Sequence, residues 1–441
     1  MAQSKEEERN MKWWQLSLFG VGCTIGTGFF LGSSIGIKQG GPSIILGIIL
    51  AGLATYIVFN ALAKLTAKHP EKGAFRTYAK QAYGRWAGFS IGWIYWFSEI
   101  LIMGSQLTAL SIFSRFWFPD IPMWLFAIGY AVLGLVVLLV GAKKMSNIEN
   151  VFAVIKTAAI LMFIIIAGAF VFGLFDGVQS LHVPRSIHEF FSTGWVGFWS
   201  SLIFAFYAFG GVEVMGLMAV QLKEPKEAPK AGRVMILSLV TIYTIALALA
   251  LVLMPWDQFN TEESPFIVAL KDFDIGFVPH IFNGALIIAG FSTMVASFYG
   301  VTTILVSLAE DKDAPSLFAK QGKLAVPIAS LGLLILGITV SIIMSLILPE
   351  KIYAYVTTGA GLMLLYNWLF IILSARKLYE VPLKDKIMYY VGIALLLAGI
   401  SGTILDKTNR PGLFISIGIV AIIGIAAYMM NKKWKKEAEV Y

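Results

Sequence analysis

The chain has 441 residues, of which 58% are hydrophobic and only 14% carry a charge. Soluble domains are about 45–50% apolar and about one quarter charged, so this composition excludes a soluble enzyme and a disordered chain. Cys23 is the single cysteine, which excludes a secreted disulfide scaffold. Basic residues exceed acidic ones by eight. Their positions decide whether this surplus indicates nucleic-acid binding or membrane orientation.

The apolar residues lie in long runs that predict membrane-spanning helices, because a bilayer core about 30 Å thick needs about 20 apolar residues of helix. The longest gaps between runs, 176–194 and 255–276, are too short for a soluble domain. The sequence therefore predicts an all-α polytopic membrane protein. Its twelve predicted spans are 13–37, 41–63, 87–114, 121–142, 150–175, 195–220, 234–254, 277–309, 327–349, 352–373, 387–405 and 412–430.

The basic residues fall unevenly between the two sides that these twelve spans define. With a cytoplasmic N-terminus, 26 Lys and Arg residues lie on the cytoplasmic side and seven on the outer side. Lys156 remains inside a span. Cytoplasmic loops are enriched in Lys and Arg, so both termini are expected in the cytoplasm. The positive surplus indicates membrane topology, and we expect no nucleic-acid partner.

Span 1 is rich in glycine, and its Gly26-Thr27-Gly28 segment predicts a break in the helix. Each glycine costs a helix interior about 1 kcal/mol relative to alanine. Close packing through small residues four apart explains Gly22 and Gly26. It does not explain three consecutive positions that point in different directions, which a break accounts for better.

Span 6 carries a similar pattern, with Gly210-Gly211 followed by the carboxylate of Glu213. Irregular backbone at membrane depth is tolerated only where protein encloses it or where it lines a cavity. Interrupted helices in corresponding positions of two halves are the best sequence indication of a transporter's substrate site.

Spans 1 and 6 begin two consecutive blocks of five spans, and an odd number of spans gives the blocks opposite orientations in the membrane. We therefore expect a five-plus-five inverted repeat, with two accessory helices. The predicted organisation is a tail over 1–12, repeats over 13–175 and 195–373, accessory helices over 387–430 and a tail over 431–441.

A broken helix exposes N–H groups at the start of one half and C=O groups at the end of the other. The N–H end attracts an anion and the C=O end a cation. Two facing breaks would hold a carboxylate and an ammonium group two bonds apart, which is the head group of an α-amino acid.

The order and spacing of several motifs resemble the amino acid–polyamine–organocation superfamily, specifically its bacterial amino acid permeases. The similarity covers nearly the whole chain and implies the inverted-repeat fold of neurotransmitter symporters. The matching segments are Ile25 to Phe30, Pro70 to Ala79 with Gly88 to Trp96, Phe206 to Glu213 with Lys223 to Ala231, and Leu308 to Pro315.

The resemblance implies a substrate site at the two breaks. The carboxylate would meet N–H groups near Thr27 and Gly28, and the ammonium would meet carbonyls near Thr24, Tyr207 and Gly210. Tyr207 occupies the family's aromatic gate position, or it is a packing aromatic. The residues assigned to substrate binding are Thr24, Ile25, Gly26, Thr27, Gly28, Tyr207, Ala208, Phe209 and Gly210.

Lys156 lies inside span 5, where a charge costs at least about 2.5–3.5 kcal/mol. It either extends toward the cytoplasm or, as the resemblance implies, stands beside broken span 1 where sodium-dependent relatives bind Na⁺. Removal from water disfavours the charged ammonium, so Lys156 could lose and regain a proton during transport. We therefore prefer H⁺ coupling. The hydroxyls of Ser292 and Thr293 in span 8 leave a sodium site as an alternative.

Two glutamates also lie within spans. Glu213 either exchanges a proton or satisfies nearby N–H groups. Glu99 either lines a side-chain pocket and holds a cationic group or pairs structurally. Gln106 and Gln221 stand where related permeases often have glutamate, and these departures remove negative charge that would favour a cationic substrate. Cys23, beside the first break, either packs closely or faces the pocket.

These observations predict a secondary transporter that imports amino acids across the cell membrane by proton symport and alternating access. An amino acid exchanger, a sodium-coupled symporter, an ion channel and a non-transporting amino acid sensor remain alternatives. The four histidines have no metal-ligand spacing and no catalytic triad is present, so we expect no enzyme, no metal site and no cofactor. The expected partners are the amino acid and the lipid bilayer, with no obligate protein partner.

Overall fold

A computed structural model describes residues 11–439 apart from 69–70, 72, 141, 176–179, 220–221, 274, 323, 325 and 348–351. Gln221 lies outside the described residues. In the part that is described, the chain forms helices and no extended strand. An isolated parallel bridge joins Met11 to Leu222.

The helices follow the predicted apolar runs in chain order. Their bounds are α1 Trp13–Thr24, α2 Thr27–Phe30, α3 Gly32–Gly40, α4 Ile44–Lys68, α5 Ala74–Tyr83, α6 Arg85–Arg115, α7 Met123–Val140, α8 Ala142–Val171, α9 Ile187–Phe190, α10 Gly194–Tyr207, α11 Val214–Met218, α12 Ala228–Leu253, α13 Pro265–Val268, α14 Val278–Glu310, α15 Ile328–Ile347, α16 Ile352–Leu378, α17 Leu383–Gly402 and α18 Arg410–Glu439.

Among the described residues, seven helical segments are long and apolar enough to cross a membrane. They are Thr27–Lys68, Arg85–Arg115, Val151–Val171, Pro225–Leu253, Val278–Glu310, Ile352–Leu378 and Arg410–Lys435. Three shorter apolar helical segments, Met123–Leu139, Gly194–Tyr207 and Ile328–Met344, lie between them.

The periphery of the bundle is apolar. Ile165 on α8 is 71% exposed and Ile422 on α18 is 66% exposed, and many other large apolar side chains are exposed with them. A soluble protein rarely exposes so much apolar surface, whereas hydrocarbon chains cover it readily. This periphery is therefore the lipid-facing surface of a multi-pass membrane protein.

The interior is built around α6, which packs against α14 on one side and α16 on the other. Helix α1 packs against α8 and α12, and α10 packs against α3 and α4. This arrangement encloses the interruptions between α1 and α2 and between α10 and α11 at the centre of the bundle.

Short helices α9 and α13 lie in the predicted gaps between spans, and two longer elements also differ from the sequence expectation. Helix α18 continues through most of the predicted tail over 431–441, since the residues after Asn431 include many good helix formers. Helix α5 was not predicted, because its Arg and Lys residues interrupt the apolar run. It is amphipathic and ends at Gly84, whose φ of +92° suits glycine.

Candidate substrate site

The two predicted helix interruptions are confirmed. Helix α1 ends at Thr24 and α2 begins at Thr27, while α10 ends at Tyr207 and α11 begins at Val214. Each interruption leaves helix-terminal N–H and C=O groups that have no partner within their own helix. The centre of the bundle therefore offers both donors and acceptors from the main chain.

The two interruptions pack directly against each other, and two glycines make this possible. A Cβ atom on Gly211 would lie 2.6 Å from the carbonyl oxygen of Cys23, and one on Gly28 would lie 2.9 Å from that of Tyr207. Gly211 also has a φ of +101°, a conformation that residues with side chains rarely adopt. Each break thus requires a glycine where it meets the other.

A small cavity lies between the breaks, with about 40 Å³ of space open to water. Typical ligand cavities measure about 300–1,000 Å³, so this site is contracted around its centre. Its lining comes from both breaks, α6 and α14 and consists of Cys23, Thr24, Gly26, Thr27, Gly28, Glu99, Ile102, Gln106, Tyr207, Gly210, Gly211, Val214, Thr293, Ala296 and Ser297.

Six of the nine residues assigned to substrate binding line this cavity: Thr24, Gly26, Thr27, Gly28, Tyr207 and Gly210. Ile25, Ala208 and Phe209 are buried in the surrounding apolar core instead. The ring of Phe209 packs against that of Tyr243, with centroids 5.4 Å apart. Of the six assigned residues that line the cavity, three are glycines, which contribute backbone, and the other three are Thr24, Thr27 and Tyr207.

Lys156 lies on α8 beside the first break and is fully buried. Its Nζ donates a hydrogen bond of 2.5 Å to the carbonyl oxygen of Gly22, in the last turn of α1. The carbonyl end of a helix attracts positive charge, so the broken helix supplies a cation-binding end at this point. Lys156 does not extend toward the cytoplasm.

Glu213 lies in the second break but does not line the cavity. Its carboxylate accepts hydrogen bonds from the backbone N–H of Gly211, at 3.1 Å, and from the indole N–H of Trp368, at 3.3 Å. These contacts match the expectation that Glu213 satisfies nearby N–H groups. They also hold the backbone of the break against α16.

Glu99 and Gln106 bring two polar side chains into the cavity from α6, together with Ile102. The carbonyl oxygen of the Gln106 amide is buried and has no hydrogen-bond partner among the described residues. Their spacing places them on one helix face, since residues three, four and seven apart share a face. That spacing could have identified Ile102 and Gln106 from the sequence once Glu99 was chosen.

The two hydroxyl residues predicted as a sodium alternative in span 8, Ser292 and Thr293, differ in whether they reach the cavity. Thr293 lines the cavity, and its hydroxyl lies 3.1 Å from the Gly290 carbonyl of its own helix. Ser292 is fully buried and does not line the cavity. Ser297, which the sequence reading missed, lines the cavity one turn further along α14.

A wide vestibule of about 1,380 Å³ opens on the side predicted to be outer. Tyr353 of α16 lines it, and the Tyr353 hydroxyl donates to the Thr27 carbonyl at 2.9 Å. The hydroxyl of Tyr207, which lines the cavity, lies 2.6 Å from the Ser105 hydroxyl of α6. Charges of both signs line the vestibule: Lys38, Arg115, Lys407, Glu262, Glu263 and Asp406.

An ion-pair network lies at the opposite end of the bundle. Arg76 of α5 pairs with Asp311 at 2.9 Å and with the fully buried Asp313 at 2.5 Å, just beyond α14. Arg85 also pairs with Asp313, at 2.8 Å, and Lys80 with Asp311, at 2.9 Å. Two sequence motifs that are more than 200 residues apart are thereby joined.

The charges of this network set the ionisation of Asp311. Partial burial tends to raise the pKa of the Asp311 carboxyl, but the hydrogen bond from Lys80 and the charges of Arg76 and Lys80 outweigh it. The pKa of Asp311 is therefore lowered below its ordinary value. The carboxylate stays ionised at neutral pH, which maintains the network.

A lipid-facing helical bundle with two interrupted helices around a polar centre is typical of membrane transporters. The sequence model of the family "Amino acid permease" matches residues 15–438. The chain belongs to this family, whose members transport amino acids across membranes and are not enzymes.

Its relatives in bacteria include several permeases. The uncharacterized transporter YcgH of Bacillus subtilis is 53% identical over 98% of both chains. The aromatic amino acid transport protein AroP of Salmonella typhimurium is 27% identical over 98% of both chains. The uncharacterized amino acid permease YtnA of Bacillus subtilis is 30% identical over 87% of this chain and 84% of its own.

Proposed function

We propose that this protein is a secondary active transporter that imports amino acids across the cell membrane by proton symport with alternating access. In this proposal the chain crosses the membrane twelve times, as two inverted five-helix repeats and two accessory helices, with both termini in the cytoplasm. The family supports amino acid transport. The distribution of Lys and Arg supports the orientation.

The observation that carries the proposal is the direct packing of the two helix breaks. Backbone N–H groups at the start of α2 favour a carboxylate, and carbonyls at the ends of α1 and α10 favour an ammonium group. Gly28 and Tyr207 bring these ends together, and both line the cavity. The head group of an α-amino acid carries both charges at the separation that facing breaks can bind.

The contact between Lys156 and the Gly22 carbonyl supports proton coupling. The ammonium group occupies the carbonyl end of α1, where a coupling cation would be stabilised. In this proposal Lys156 carries the coupling role, because its contact links α8 to the end of the broken helix. Ser292 and Thr293 would serve the sodium-coupled alternative, and obligate exchange is the second alternative.

The polar side chains of the cavity favour, as substrates, amino acids whose own side chains carry hydrogen-bond donors. Glu99 and Gln106 both present acceptor oxygens on the cavity side of α6. The Gln106 amide oxygen, which is buried without a hydrogen-bond partner among the described residues, favours a ligand that supplies a donor. The relative AroP is named an aromatic amino acid transport protein, and the apolar side chain of Ile102 lines the cavity, so substrates with apolar side chains are the alternative.

The direct test is uptake of a panel of radiolabelled amino acids into liposomes that contain the purified protein. Inside-alkaline pH gradients and inward Na⁺ gradients are imposed separately. Uptake driven by the pH gradient supports the proposal, and uptake driven by Na⁺ supports the sodium alternative. Uptake only into liposomes preloaded with amino acid indicates an exchanger, and binding without uptake indicates a sensor.

A further inference from the structure

We infer that Tyr353 is a gating residue that separates the outer vestibule from the substrate cavity, an inference that rests on the proposed function. Tyr353 is buried in the first turn of α16 and lines the vestibule, whereas Thr27 lines the cavity below. The 2.9 Å hydrogen bond from the Tyr353 hydroxyl to the Thr27 carbonyl joins the walls of the two spaces.

Tyr207 completes this closure from the second break. Its hydroxyl forms a hydrogen bond with the Ser105 hydroxyl on α6. Its ring packs with Ile102 and Ala360 in a small apolar cluster. The two bonds thus tie each broken helix to a helix that is continuous at this depth. Breaking both hydrogen bonds removes the link from α2 to α16 through Tyr353 and the link from α10 to α6 through Tyr207.

Gly32 of α3 marks where the two tyrosines converge. A Cβ atom on Gly32 would lie 3.7 Å from the Tyr353 hydroxyl oxygen and 3.8 Å from Cδ1 of Tyr207. Both distances are ordinary van der Waals contacts, so an alanine would fill the space between the tyrosines without a clash. Alanine is also a better helix former than glycine.

An amino acid that moves from the vestibule to the cavity must pass this pair. The vestibule has about 1,380 Å³ of space and the cavity about 40 Å³, so the closed pair leaves the lower site contracted. Separation of Tyr353 from Thr27 enlarges the cavity upward and frees the Thr27 carbonyl. Tyr353 therefore controls access from outside, while the two breaks recognise the head group.

Cys23 reports on this gate, because it is the single cysteine of the chain and lines the cavity. The experiment measures the rate at which a membrane-impermeant methanethiosulfonate reagent, added outside, modifies Cys23 in intact cells. Tyr353→Phe removes only the hydroxyl. Tyr355→Phe is the matched control, since Tyr355 also lines the vestibule from α16. Cys23→Ser gives the background.

We expect Tyr353→Phe to accelerate modification about fivefold, the effect of losing one hydrogen bond. Tyr355→Phe should leave the rate unchanged. Gly32→Ala should slow modification, and because this change has the opposite sign it tests the gate even if Tyr353→Phe folds poorly. Equal rates in Tyr353→Phe, Tyr355→Phe and the original protein, or unaltered modification in Gly32→Ala, would overturn the inference.

Uptake measured on the same variants separates this inference from the proposed function. If no amino acid is taken up under any gradient, the proposed function is wrong, whereas the labelling rates still decide whether Tyr353 closes the cavity. If uptake is normal and labelling does not respond to Tyr353→Phe, only the gate is wrong.

Discussion

The ammonium group of Lys156 donates a hydrogen bond to the carbonyl oxygen of Gly22, 134 positions away in the chain. This bond joins α8 to the carbonyl end of the first broken helix. Because the lysine is fully buried, any change in its charge acts directly on the end of α1 that meets the second break.

Lys156→Ala is expected to uncouple uptake from the pH gradient. The variant should still bind substrate and exchange internal for external amino acid, because the breaks retain their backbone groups. Under an inside-alkaline gradient, the internal amino acid concentration should rise only until it equals the external concentration. Liposome uptake with and without the gradient measures this. Lys271→Ala, at an exposed position, is the control, and full gradient-driven accumulation in Lys156→Ala would disprove the coupling role.

Gly211→Ala is expected to abolish most uptake while the protein still reaches the membrane. The left-handed conformation costs a non-glycine residue about 1–2 kcal/mol, and contact with the Cys23 carbonyl adds to it, so uptake should fall at least about tenfold. Gly168→Ala is the matched control, since no atom lies within 4 Å of its added Cβ. Equal initial rates in the two variants would contradict the packing of the breaks.

Glu99→Gln is expected to change which amino acids are transported. For a substrate with a cationic side chain, kcat/KM should fall about 10–100-fold, because a hydrogen bond to a charged group contributes about 1.5–3 kcal/mol. Substrates with apolar side chains should change much less. Competition for uptake by the amino acid panel measures this selectivity. The exposed Glu380→Gln serves as control, and an unaltered order of preference in Glu99→Gln would exclude Glu99 from the side-chain pocket.

Asp313→Asn is expected to destabilise the folded protein. The change leaves the buried Arg76 guanidinium without one of its carboxylate partners, and breaking a buried ion pair costs about 3–5 kcal/mol. The midpoint of thermal unfolding in detergent should fall by about 5 °C or more. Reaction of the buried Cys23 with a thiol-reactive dye on heating reports unfolding.

Glu227→Gln is the control for that measurement. Glu227 lies 4.0 Å from Lys230 at the surface, and such pairs contribute about 0–1 kcal/mol. Its midpoint should therefore stay close to that of the original protein. If both substitutions gave equal shifts, the network around Arg76 would have no special part in stability.

Local sequence signals predicted the two breaks and the buried Lys156. Glycine clusters and an isolated charge within an apolar run have direct energetic consequences in a membrane, so they can be read without knowing any neighbour. The resemblance to the family, and not the glycine pattern alone, implied that Thr27 and Gly28 belong to the substrate site, and both line the cavity. The positions of the helices followed from apolar runs of the length that a bilayer requires.

Contacts between distant segments could not be predicted in this way. The bond from Tyr353 to Thr27 joins residues 326 positions apart, and it depends on how far α16 is rotated and shifted against the first break. The pairing of Arg76 with Asp313 depends in the same way on the position of α5. The charged residues of α5 interrupt the apolar pattern, so hydropathy did not predict this helix. Such geometry is set by packing of whole helices and not by the periodicity of one.

Gradient-driven accumulation tests the central claim most directly. Liposomes with the purified protein receive the best-bound amino acid of the panel under an inside-alkaline gradient, under an inward Na⁺ gradient or under neither. The proposed function predicts accumulation above the external concentration with the pH gradient alone, and none in protein-free liposomes. Absence of uptake for every amino acid of the panel, under both gradients and into preloaded liposomes, would contradict it.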